Sequence, residues 1–153
     1  METNKPAKPR IFIDADVLFA GAASPNEHSA SNLILRMAEL TLIEAITSTQ
    51  VITEAERNLE SKIPKALPAF RLLVSRSLKI VEDPAPAEVA DHCGLADPQD
   101  LPILIAAVRE GCDLLTTYNI RHYQPGHPSI TLLKPGDLVL RIRYLLSQLP
   151  KRS

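Results

Sequence analysis

The sequence predicts an α/β protein, a three-layer α/β/α sandwich on a mostly parallel sheet of about five strands. Three observations carry this. Short runs of β-branched and aromatic residues alternate along the chain with longer segments whose apolar residues recur at helical spacing. The first run, Ile11-Phe12-Ile13, is uninterrupted, as in a central strand buried on both faces. It stops on charge at Asp14 and Asp16, at the kind of strand end where ligands bind in an open parallel sheet.

The elements follow in order. After the first strand, a short helix starts near Val17. Ser24-Pro-Asn-Glu27 then reads as a capping box with Pro at the first helical position. The helix it opens is expected to carry Leu33, Ile34, Met37 and Leu40 inward. Leu42–Ile46 is expected as the second strand, and Thr47-Ser-Thr-Gln50 starts a helix with Val51, Ile52, Ala55 and Leu59 on its buried stripe. That stripe leaves Glu54 at its edge, one turn in. Pro64 and Pro68 begin or interrupt the next helical segment, and Leu78–Val81 is the third strand. Pro84 and Pro86 make a stiff connection to a short helix near Glu88–His92.

Asp97 as N-cap, Pro98 at the first helical position and Asp100 form a strong helix start, followed by the stripe Leu101, Leu104, Ile105, Val108 and a stop at Gly111. Asp113–Thr117 is the fourth strand, and Ser129–Leu133 a fifth at an edge. Pro135-Gly-Asp137 opens a last helix with Leu138, Ile142, Leu145 and Leu149 on one side.

At 153 residues the chain suits one domain, expected over residues 10–150 behind a flexible polar segment, 1–9. Hydrophobic content of 45% and charged content of 23% are ordinary for a globular domain. No run approaches the ~18 apolar residues of a membrane span, and Met1–Pro9 lacks the apolar core of a signal peptide, so a cytoplasmic protein without membrane contact is expected. Cys93 and Cys112 suit free thiols in a reducing compartment. A net charge of −1 argues against a generic polyanion binder but hides an asymmetry. Arg57, Lys62, Lys65, Arg71, Arg76 and Lys79 form a basic stretch, whereas Ile80–Val108 has Glu82, Asp83, Glu88, Asp91, Asp97 and Asp100 without Lys or Arg. Such neighbours could hold a phosphate backbone against a metal site, or be two solvated helix faces.

GxxxxGK[ST], GxGxxG and GxSxG are absent, which removes phosphate-cradling loops and a hydrolytic serine elbow. No Trp, three Tyr and three Phe argue against a base-stacking platform. What remains is acidic: Asp14 with Asp16, Glu54, and Asp97 with Asp100, each at a helix start. Capping alone accounts for Asp14 or Asp16 and for Asp97, and less well for Asp100, whose carboxylate points toward the same sheet edge as Asp14. Together they form a set of hard oxygen donors that suits Mg²⁺ or Mn²⁺.

Ile-Phe-Ile-Asp14-Ala-Asp16-Val, Val51-Ile-Thr-Glu54, Asp97-Pro-Gln-Asp100-Leu-Pro-Ile-Leu-Ile-Ala-Ala107 and Leu115-Thr-Thr-Tyr-Asn119-Ile-Arg-His-Tyr123 resemble the four motifs of PIN-domain nucleases, in that family's order and over about residues 10 to 135. The resemblance extends to the prokaryotic branch of toxins in toxin–antitoxin pairs. It implies a divalent-metal-dependent endoribonuclease with Asp14, Glu54 and Asp100 as metal ligands and Asp97 near them. It also implies RNA as substrate, an antitoxin protein as partner and a homodimer. Asp16, Thr117, Arg121 and His122 are then candidates for contact with the substrate. Two positions depart from the pattern: Asn119 stands where the family has a fourth acid, and Asp16 where it usually has Asn. Asn119 adds no charge, which weakens a second metal site, and Asp16 is expected to restore part of that charge. Two alternatives are a catalytically impaired RNA- or protein-binding module, made plausible by Asn119, and a haloacid-dehalogenase-like phosphatase. The second resembles only Asp14-Ala-Asp16-Val, and Ala90–Leu95 is a poor candidate for the later strand it needs.

Overall fold

The structure, a computed structural model, describes residues 8–23 and 29–149. At its centre is β1 (Arg10–Ile13), whose Ile11, Phe12 and Ile13 are fully buried. β1 pairs in parallel with β2 (Glu44–Ser48) on one side and β4 (Leu114–Thr116) on the other, so that Phe12 lies between Ile46 and Leu115. β3 (Leu78–Val81) and β5 (Thr131–Leu133) form the edges, giving the order β3-β2-β1-β4-β5 with every pair parallel.

Helices α1 (Ala15–Ala23) and α2 (Ala30–Glu39) link β1 to β2. Helices α3 (Thr49–Lys62) and α4 (Leu67–Ser77), joined by a 3₁₀ turn at Pro64–Ala66, link β2 to β3. Both crossovers step the same way across the sheet, and right-handed connections therefore place these helices on one face. There α1 packs on α2 and α3, and α2 packs on α4 and on α7 (Pro135–Ser147). The connection from β3 steps back past β2 and β1 to β4, which sends α5 (Pro86–Ala90) and α6 (Leu101–Arg109) to the opposite face. The three-layer sandwich expected from the sequence is the fold observed. The reversal makes the gap between β1 and β4 a topological switch point, where an open α/β sheet binds its ligands.

Several local expectations shift. β2 runs to Ser48, beyond the expected apolar run, while Leu42 is 42% exposed. Thr47 and Ser48 are polar yet buried because each has a partner: Thr47 Oγ1 donates to the Ile13 carbonyl at 3.0 Å, and Ser48 Oγ accepts from the Val51 amide at the start of α3. The expected capping box at Ser24–Glu27 lies outside the described residues; the cap seen on α2 is Ser29, whose side chain accepts from the Asn32 amide. The buried face of α2 is Ser31, Ile34, Leu35 and Ala38, and Leu40 stands 69% exposed past its end.

Helix α6 starts three residues later than its sequence signal, because Asp97–Asp100 closes a separate tight turn in which the Asp97 carbonyl accepts from the amides of both Asp100 and Leu101. Its end agrees: Gly111 follows with φ +69, the left-handed conformation favoured just past a helix. In α7, Leu138 and Ile142 are buried as expected, but Leu145 is exposed, as is Leu149 past the end of the helix. Among the described residues no helix is long and apolar enough to cross a membrane. Cys93 is exposed, and Cys112 is a buried thiol pushed up to about 12 by desolvation, which makes it inert at neutral pH.

Candidate active site

Asp14 follows the last residue of β1 and is 7% exposed. Its amide extends the ladder by one step, donating to the Thr116 carbonyl at 3.1 Å, and this fixes the carboxylate at the switch point. Three donors hold that carboxylate. The Ala15 amide reaches Oδ1 at 2.7 Å, while the Thr117 hydroxyl and the Tyr123 hydroxyl each reach Oδ2 at 2.8 Å. Burial pushes the Asp14 pKa up; the hydrogen bonds from Thr117, Tyr123 and Ala15 oppose that push. A carboxylate this deep, with all three donors aimed at it, is built to be kept in one orientation.

Asp16, in the first turn of α1, uses Oδ2 to tie down the loop after β4. That oxygen accepts from the Tyr118 amide at 2.9 Å, the Asn119 side-chain amide at 3.2 Å and the Thr117 hydroxyl at 3.3 Å. Its other oxygen, Oδ1, is buried without a protein partner. Desolvation, and then the charge of Asp14, raise the Asp16 pKa to about 6. Asn119 therefore turns its amide NH₂ toward Asp16, as a neighbouring carboxylate requires, and acts as a brace for the loop.

Asp100 is half-buried at the N-terminus of α6, on the other side of the switch point. Its loop is sewn to the 3₁₀ turn at Ile120–Tyr123 by the Asp97 amide donating to the His122 carbonyl at 2.7 Å and the Gly126 amide to the Leu95 carbonyl at 2.8 Å. This stitching brings His122 Nδ1 to 3.4 Å from Asp100 Oδ2. One ligand-type atom each from Asp97, Asp100 and His122 lies within 4.8 Å of the others, a spacing that can hold a metal ion. Asp100 is raised by desolvation and then by the Asp14 charge, with His122 opposing and Asp97 adding to the rise.

Glu54 completes the acidic set from α3. Ser48 caps that helix, and Asp83 Oδ1 accepts from the Gln50 amide at 2.9 Å, an anion placed at the positive end of the helix dipole. Glu54 is exposed on the wall of a groove of about 690 Å³ that it shares with Asp100, Gln50 and Arg57. Burial raises its pKa, followed by the charges of Asp14 and Asp100, and Arg57 lowers it. Asp16, Glu54 and Asp100, at or near the starts of three different helices, are all raised by the charge of Asp14.

A family model described as the PIN domain matches residues 10–121. The chain belongs to the PIN-domain family. Solved structures repeat the fold. PAE2754 from Pyrobaculum aerophilum superposes with a TM-score of 0.64 at 20% identity, over 89% of this chain and 96% of that one. VapBC2 from Rickettsia felis, solved bound to a DNA fragment from its promoter, gives 0.58 at 18% identity, over 82% and 98%. VapC20 from Mycobacterium tuberculosis, a toxin that cleaves the sarcin-ricin loop, gives 0.50 at 17% identity, over 69% and 86%. At such identities the likeness is one of fold. None of the curated proteins matches the chain at a significant level.

Of the residues singled out in the sequence of this PIN domain, the structure groups Asp14, Asp16, Thr117 and Asn119 at the ends of β1 and β4, and Asp97, Asp100 and His122 beside them. Glu54 faces them from α3. Arg121 is exposed, and among the described residues it makes no hydrogen bond or ion pair. Thr117 is buried against Asp14, where its hydroxyl orients the carboxylate and does not face the groove. Sequence reasoning passed over Tyr123, which is fully buried with its hydroxyl on Asp14. Its place in the fourth motif was visible; its hydrogen bond to a residue 109 positions away was not.

Proposed function

We propose that this PIN domain is a divalent-metal-dependent endoribonuclease and the toxin of a toxin–antitoxin pair. What supports the proposal is the placement of Asp14 at the switch point and of Glu54 and Asp100 on one groove, with the charge of Asp14 raising both. Facing carboxylates repel one another, and a bound cation relieves that repulsion. The donor set fits such an ion: hard carboxylate oxygens, the buried unpartnered Oδ1 of Asp16, and an imidazole at the groove's edge.

Asp14, Glu54 and Asp100 would hold Mg²⁺ or Mn²⁺, with Asp97 and His122 as further ligands on the Asp100 side. When bound, the ion supplies Lewis-acid polarisation of a phosphoryl oxygen and activation of a water molecule. The protein's own residues do the positioning. Thr117 and Tyr123 fix the rotamer of Asp14, and Asp16 and Asn119 lock the loop that carries them. His122 brings to the set an imidazole, a softer donor than the surrounding carboxylate oxygens. A decayed, purely binding scaffold was suggested by Asn119 alone. His122 beside Asp100 adds a donor to the set without replacing the charge that Asn119 lacks, and this supports retained chemistry.

The toxin assignment rests on the four sequence motifs and on the likeness of fold to VapBC2 and VapC20. An antitoxin partner and a homodimer belong to the same proposal. The deciding experiment is cleavage of a labelled single-stranded RNA by the wild type and by Asp14→Asn, with Mg²⁺, Mn²⁺ or chelator. Metal-dependent cutting lost in the variant is expected. Folded wild-type protein that cuts with no metal present would overturn the metal assignment, and no cutting under any condition would overturn the enzyme.

A further inference from the structure

The basic stretch between Arg57 and Lys79 is sorted by the fold into separate tasks. Arg71 pairs with Glu56 at 3.0 Å, and Lys79 with Glu110 at 3.9 Å. Lys62 lies over the ring of Phe19, 5.3 Å from its centroid. Arg76 lines a different cleft, beside β3. Arg57 alone of that stretch reaches the acidic groove, and among the described residues it is the one basic residue lining it.

We infer that Arg57 binds a backbone phosphate of the polynucleotide substrate, next to the phosphate that lies at the acidic set. The inference rests on the nuclease reading above and adds a contact that reading does not contain. Arg57 comes three residues after Glu54 on α3, so both side chains lie on one side of the helix and face the same groove. It is exposed, and among the described residues it forms no ion pair within 4.0 Å, although its charge acts on Glu54 one turn away. An anionic strand entering a groove lined by Glu54, Asp83 and Asp100 is repelled everywhere except where a cation compensates. The bound metal does this for the reacting phosphate, and Arg57 does it for the neighbour. A guanidinium presents its donors in a planar fork that matches two phosphate oxygens. Asn58 lines the same groove and adds a neutral amide, whereas the Gln50 side chain is already tied to the Gln99 carbonyl at 2.9 Å. Contacts of this kind set the register of the strand and carry no base preference.

The test uses the full chain carrying Asp14→Asn, so that RNA is not consumed, and a fluorescein-labelled single-stranded RNA read by anisotropy over a salt series. Adding Arg57→Gln is expected to weaken binding about tenfold, the worth of one charge-assisted contact. The slope of log affinity against log salt should fall by about 0.7, one phosphate's share on a single strand. Arg57→Lys should keep that slope, since the charge remains. On the otherwise wild-type protein, Arg57→Gln should leave Mn²⁺ affinity by calorimetry equal or slightly tighter, because a positive charge has left the groove. RNA binding with an unchanged slope would overturn the inference while leaving the nuclease reading standing. So would a change confined to Mn²⁺ affinity, which would show that Arg57 only balances Glu54. If wild-type protein fails to cut and the Asp14→Asn protein fails to bind RNA, the nuclease reading falls and this inference with it.

Discussion

Removing the Tyr123 hydroxyl is the sharpest way to ask whether the buried end of the site holds Asp14 for a purpose. In Tyr123→Phe the ring keeps its packing, so no large cavity forms, and the change is confined to one hydrogen bond of 2.8 Å. Tyr123 is 0% and Asp14 7% exposed, so water cannot readily replace the lost donor. A hydrogen bond to a charged group is worth about 1.5–3 kcal/mol. In a domain of this size each kcal/mol moves the melting temperature by about 2–4 °C.

The loss should depend on pH. The Tyr123 bond lowers a carboxyl that burial has raised, so without it Asp14 rises further. A raised carboxyl contributes its stability in full below its unfolded value of 3.8 and loses it as pH rises through the folded value. The deficit of Tyr123→Phe should therefore be small at about pH 4 and grow toward pH 8 in metal-free protein. Partners that orient a metal ligand are typically worth about 10- to 100-fold in metal affinity, and that loss is expected for Mn²⁺ by calorimetry. Mn²⁺ affinity within twofold of wild type, together with a stability loss flat in pH, would refute the reasoning and reduce Tyr123 to packing.

Two further predictions follow from the geometry. Asp16→Asn should stabilise the metal-free protein at pH 7, because the pKa of about 6 means that ionisation costs folding free energy above the unfolded 3.8. The shift of about two units has a ceiling near ~3 kcal/mol, and solvent reaching this partly exposed group reduces it to about 1–2 kcal/mol. Urea midpoints at pH 7 and below pH 4 check this; a gain of equal size at both would sink it. Gly21→Ala should destabilise by about 1 kcal/mol, since the added methyl would stand 2.6 Å from Leu35 Cδ1 in the packed α1–α2 contact, and better helix propensity only partly offsets that clash. Chemical denaturation measures it, and a stabilised variant would show that Leu35 can move aside freely.

The layered fold was legible because its determinants are local. Ile11–Ile13, the Leu78–Val81 run and the α6 segment each declare their type through periodicity and their stops through Asp, Pro or Gly. β2 was misplaced for the opposite reason. Thr47 and Ser48 read as a helix start, and only a carbonyl on another strand and an amide on the following helix make their burial tolerable. Leu40, Leu145 and Leu149 fit a helical stripe yet stay exposed, because a stripe can outrun the neighbour it packs against.

The site divides along the same line. Asp14, Glu54 and Asp100 stand out as candidates in the sequence because each lies in a short contiguous motif, Asp14 after a strand, Glu54 early in a helix and Asp100 at a helix start. What they do together depends on distances between segments roughly fifty residues apart, which no local pattern contains. His122 shows the difference most clearly. In the sequence it was one polar residue of a turn, of equal standing with Arg121. In the fold, two backbone hydrogen bonds, Asp97 to His122 and Gly126 to Leu95, pin that turn to the Asp97–Asp100 loop, and Arg121 is left outside. Asn119 moved the other way: expected as a weakened ligand, it donates to Asp16 and becomes part of the support. The loop after β4 therefore divides its work between two residues: Asn119 braces it against Asp16, and His122 sets an imidazole beside Asp100, where the proposed metal would find a further donor.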